Sequence, residues 1–215
     1  MAMIKSALEL ALERTKNLEV DEVAIEAHRI KMEGRRAAGK FLDDPENTNL
    51  QKAIQGIDSQ NREAFRRSIF DVLIAQIQLP GSYFDAEKLT LIGAGLAALA
   101  AAAPIKGGVA GAGAEKKIIS MVQQIASFIV KYQEEVKRVE QAIRSQWAPK
   151  LKEKERQMAA RMGQDIRLDP MADPEFAAFY KQNVENLKAN YSDALERAKG
   201  ELAALSGMEE PEGNL

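Results

Sequence analysis

Apolar residues recur along this chain in steps of three and four, the spacing that places side chains on one face of an α-helix. Near the N-terminus, Ile4, Leu8, Ala11, Leu12 and Thr15 share such a face. From Val20 the stripe runs through Val23, Ala27, Ile30, Gly34, Ala37 and Phe41, and it stops at "FLDDPEN". Asp44 before Pro45 has the form of an N-cap followed by a first-turn proline, so the pattern predicts that a new helix starts there. Loop-forming residues occupy 56–63, with Asp58, Ser59 or Asn61 available as the next cap. Phe65, Ile69, Val72, Leu73, Ile77 and Leu79 follow, and Phe70 and Ile74 widen that stripe until the helix looks buried on most sides. Pro80 and Gly81 end it.

Asp85 can cap a short helix over 86–103, which Pro104 terminates, and a Gly/Ala-rich connection follows at 104–114. The most regular pattern comes next. Ile118, Val122, Ile125, Ile129, Tyr132, Val136, Val139 and Ile143 alternate steps of four and three without an error, a heptad seam predicting a long helix over about 114–147. Trp147 shifts the phase, and Pro149 is expected to kink or break the rod. "KLKEKERQMAARMG" continues as a short mixed-charge helix, and "QDIRLDPMADPE" reads as a turn region. Asp173-Pro174 repeats the cap-and-proline pair and opens a second long amphipathic helix, about 174–205, marked by Tyr180, Val184, Leu187, Tyr191, Leu195, Ala198, Leu202 and Leu205.

No window alternates as a strand does, so the pattern predicts an all-α protein with no sheet: an elongated helical bundle with two long, coiled-coil-like helices. The two long stripes could pack antiparallel within one chain, or the seam could pair with its copy in another subunit. The β-branched residues along the seam suit a parallel dimer, and the pattern leaves both arrangements open. It divides the chain into an N-terminal helical arm at 1–44, a bundle core at 45–205 and an acidic, disordered tail at 206–215.

Composition adjusts this picture at three points. Aromatic residues are only 6% of the 215, and much of the 46% apolar content is alanine, which favours closely packed helices over a thick aromatic core. A formal net charge of −2 lacks the basic excess that phosphate neutralisation needs, so no nucleic-acid partner is expected. With no cysteine there is no disulfide, thiolate metal site or cysteine nucleophile. Glu9, Glu13 and Arg14 interrupt what a secretory signal would need as an apolar core, and a cytoplasmic location is expected.

Little chemistry is legible. Gly93-Ala94-Gly95-Leu96-Ala97-Ala98 matches a relaxed dinucleotide fingerprint, but the second strand and the repeating βα units that the fold requires are missing. Gly108 and Gly113 have phosphate-loop spacing, and Ala114 stands where the lysine must be. What remains is a small-residue packing face at Gly93, Ala97 and Ala101, able to admit another helix closely. Leu89 to Ile105 is uncharged yet short for a span, so the apolar segment 89–114 supports a membrane-associated helical protein only as the alternative reading. His28, the one histidine, reads as a solvated helix position, and the Glu-x-x-His pair of a di-iron helix is absent. Arg66 and Arg67 are expected to line the exposed edge of their helix. Lys150, Lys152, Lys154 and Arg156 alternate with glutamates, as on a solvated helix. No catalytic residue, metal ligand or cofactor site is assigned.

"IKSALELALERTKNLE", "EGRRAAGKFLDDP" and "DPEFAAFYKQNVENLKANYSDALERAKGEL" are similar to an uncharacterised family of bacterial helical proteins, a domain of unknown function. The resemblance covers the two ends and not the Gly/Ala centre. It implies a bacterial source and a helical fold, and it brings no activity and no site residues. Together these readings predict a non-enzymatic interaction or scaffold protein that self-associates, as a homo-oligomer, or binds partner proteins through its amphipathic faces.

Overall fold

The computed structural model describes residues 7–81, 83–103, 113–164 and 167–208, with side chains of the first helix from Glu22 onward. Among these residues there are six α-helices and no strand: α1 (Ala7–Asp43), α2 (Leu50–Gln55), α3 (Arg62–Ala75), α4 (Ala86–Ala101), α5 (Ala114–Met162) and α6 (Pro174–Leu205). The all-α expectation holds, and both long helices are present. The chain forms two compact units, one of residues 1–77, 87–120 and 202–215, the other of residues 78–86 and 121–201.

Two local expectations are corrected. Asp44-Pro45 starts no helix: Asp44 instead accepts from the backbone and side-chain amides of Asn47, and α2 begins later, capped by Asn49, whose side chain accepts from the Lys52 N–H at 2.9 Å. From Leu8 onward both N-terminal stripes lie on the one helix α1, with no glycine or proline between them. Pro149 does not break α5. Ile143, Trp147 and Leu151 are buried at successive i+4 positions, so the apolar stripe continues past the proline.

In the first unit the core lies where α1 crosses α3. Ile30, Gly34, Ala38 and Phe41 are buried, as are Phe65, Ser68, Ile69, Phe70 and Leu73. Gly34 permits the crossing, since a Cβ there would stand 2.7 Å from the Phe65 carbonyl oxygen and 2.8 Å from the Ser68 Cβ. Helix α4 buries Leu89, Ile92, Leu96 and Leu99 in the same unit. At Gly95 a Cβ would meet Leu73 Cδ1 at 2.8 Å and Phe41 Cε1 at 2.9 Å.

The second unit is an antiparallel pairing of α5 with α6. Tyr191 meets Phe128 and Tyr132 with ring centroids 4.7 and 5.1 Å away. Tyr180 donates to Glu140, and Trp147 packs edge-on against Phe176. Lys154 reaches Asp173. Partners climb α5 as they descend α6, which fixes the direction. Asp173, buried, caps α6 by accepting from the Glu175 and Phe176 N–H groups, as the sequence predicts. The Lys154 ammonium, together with these N–H groups, holds its carboxyl below the usual carboxylate range.

Candidate functional site

Of the seam, Ile118, Val122, Ile125, Ile129, Tyr132 and Ile143 are buried by the chain itself, and Val136 and Val139 are half-buried. The intrachain alternative is the arrangement that α5 and α6 adopt over residues 121–201. Tyr191 donates to Glu135 at 2.7 Å there, and this bond, with burial, pushes its hydroxyl up to about 12.

On the small-residue face, Gly93 and Ala97 are buried whereas Ala101 is exposed. A close approach on α4 falls at Gly95, off that face. Most of the connection at 104–114, and residues 209–215 of the tail, lie outside the described residues. The tail's first residues do not: Ser206 and Met208 are buried in the first unit.

His28 is exposed, as read from sequence. Among the described residues no group of three or more His, Asp or Glu side chains could hold a metal ion, and no helix is long and apolar enough to cross a membrane.

Arg66 corrects the reading of the basic pair: it is 1% exposed, not at a helix edge. Its neighbours explain why. Arg66, Phe70, Leu73 and Ile77 follow one another by four, three and four, and all are buried. Gly207, at φ +68°, ends α6 in a left-handed turn in which Met208 N–H donates to Ala203 C=O at 2.8 Å and Gly207 N–H to Ala204 C=O at 3.0 Å. That turn presents the Ser206 carbonyl to Arg66, whose Nη2 donates to it and to the Leu99 carbonyl, each at 3.1 Å. Arg67 Nη1 donates to the Met208 carbonyl at 2.7 Å. The two arginines thus satisfy carbonyls at the C-terminal ends of α4 and α6, where a cation is favoured. Burial pulls the Arg66 guanidinium below its ordinary range, opposed by Glu63, which accepts from Nη1 at 2.7 Å.

A cavity of about 880 Å³ opens beside this cluster, lined by Ile54, Gln55, Ser59, Arg62, Glu63, Arg66, Ala101–Ala103 and Gly207. Sequence reasoning missed it, although a helix with apolar residues on most sides leaves an internal arginine few outward positions.

Among the described residues, the middle of α1 carries exposed apolar side chains. Residues 22–25 are exposed, and Val23 and Ile25 keep 71% and 68% of their surface accessible, whereas the stripe is buried from Ile30 onward. Two residues apart, they project from opposite sides of the helix.

A family model described as a family of unknown function (DUF6657) matches residues 51–204. It runs through the Gly/Ala centre that the sequence resemblance left aside, and residues 1–50 fall outside it. No curated protein and no solved structure matches.

Proposed function

This chain belongs to the DUF6657 family of unknown function, and from that premise we propose that it is a non-catalytic helical interaction protein that self-associates through the uncovered part of α1. The observation that carries this reading is the loss of cover along one stripe: Val23 is 71% exposed, while Ile30, Ala38 and Phe41 on the same helix are buried. A helix with exposed apolar residues gains by burying them on another helix. Most of the seam on α5 is buried within the chain, whereas Val23 and Ile25 on α1 are among the most exposed large apolar residues described, which favours α1 as the surface for a second copy.

Light scattering coupled to size-exclusion chromatography of the full chain tests the proposal. A discrete oligomer is expected, and Val23→Glu with Ile25→Glu should shift it to monomer with helical content retained. A wild-type chain that is monomeric at every concentration overturns the reading.

A further inference from the structure

The start of α6 is tied to α5 by one buried carboxylate. On α5 the apolar stripe Ile143, Trp147, Leu151 advances by fours, and Lys154 takes the next helical position, three residues on. The chain places an ammonium there, against Asp173, which is 5% exposed. Asp173 Oδ2 accepts from Lys154 Nζ, and Oδ1 accepts from the Glu175 and Phe176 N–H groups at 3.0 and 3.1 Å. Phe176 is itself 1% exposed and stands edge-on to Trp147, with ring centroids 5.8 Å apart. One carboxylate thus joins the cation on α5, the N–H groups of the first turn of α6 and the apolar cluster between the two helices.

The charged groups around Asp173 set how it responds to acid. From α5, Lys154 reaches it, whereas Glu155 accepts from the Leu168 N–H at 2.9 Å. From α6, Glu175 makes a longer contact with Lys154 at 3.4 Å and is exposed. Between the helices, Asp169 accepts from the Met171 N–H at 3.0 Å. The Lys154 bond first, and then the Phe176 N–H, hold the Asp173 carboxyl below the ordinary aspartate value, against the effect of burial. A carboxyl depressed on folding stabilises the structure above its unfolded value, and that contribution is lost as pH falls through the folded one. Once protonated, it keeps no charge for Lys154 and is a weaker acceptor for the first turn.

We infer that Asp173 and Lys154 form an acid-sensitive latch: protonation of the carboxylate frees the first turn of α6 from α5 and opens the Trp147–Phe176 contact, while the rest of both helices stays formed. It does not rest on self-association through α1. Trp147 is the only tryptophan, so its emission reads this join alone. The full chain is acidified from about pH 7 to about pH 2, with fluorescence and far-UV circular dichroism followed together. A red shift of the emission is expected, with its midpoint below the ordinary aspartate value and most of the helical signal kept. Lys154→Gln should move that midpoint upward, because the ammonium that keeps the carboxylate ionised is gone. Asp173→Asn can still cap the helix but cannot titrate, so its emission should show no step. Glu140→Gln removes the carboxylate that accepts from Tyr180, and Asp165→Asn removes an acidic residue outside the described ones; each should keep the step. The inference is overturned if the emission moves only together with loss of the helical signal, or if Lys154→Gln leaves the midpoint where it was. It is equally overturned if Asp173→Asn retains the step or if Glu140→Gln or Asp165→Asn loses it.

Discussion

Two glycines separate space that can yield from space that cannot. At Gly34 the added methyl group would press on the Phe65 carbonyl and the Ser68 Cβ, atoms fixed in the backbone of α3 or attached directly to it. At Gly95 it would press on the ends of the Leu73 and Phe41 side chains, which can shift by rotation. Alanine improves helix propensity at either site by about 1 kcal/mol. Gly34→Ala is therefore expected to lower stability by about 1–3 kcal/mol, the range for overpacking, and Gly95→Ala to cost less or nothing. Urea denaturation of the two variants checks the order, and equal losses would refute it. Arg66 follows the same logic of surroundings. Its position in the sequence shows a cation within an apolar helix, but the carbonyls of Leu99 and Ser206 that accept from it lie 33 and 140 residues away. No local pattern contains them.

Among the elements, α5 shows packing overriding local propensity. Pro149 has no N–H to donate, and a proline in a helix interior costs about 3 kcal/mol. Trp147 and Leu151 nonetheless stay buried on either side of it, and Trp147 sits against Phe176 and Phe179. Because Pro149 itself is exposed, replacing it removes no core contact. Pro149→Ala should stabilise the protein by about 1–3 kcal/mol, read as a higher thermal midpoint, and a lower midpoint would show that the proline serves the packing. The heptad seam was legible because its period is unbroken over eight positions. Its partner was not, since intrachain α6 and a second copy offer the same kind of apolar stripe.

For the molecule as a whole, the segment that opened two readings in sequence, Leu89 to Ala101, turns its large apolar residues inward. Leu89, Ile92, Leu96 and Leu99 are buried and Leu91 is half-buried, and the exposed positions are Thr90, Ala94 and Ala101. In liposome flotation the full chain is therefore expected to remain in the dense fraction, and co-flotation that is lost on deleting 89–114 would restore the membrane reading. The sequence alone determined the helical class, the extent of α6, its Asp173 cap and the absence of thiol chemistry, because these follow from periodicity, capping and composition within a few turns of chain. Tertiary structure alone decided that most of the seam on α5 is buried within the chain. It also decided that Gly34 and Gly95 mark close approaches and that Arg66 is buried beside a cavity. Each of those depends on which distant residue fills the space opposite, and a one-dimensional pattern of apolar and polar positions carries no information about that.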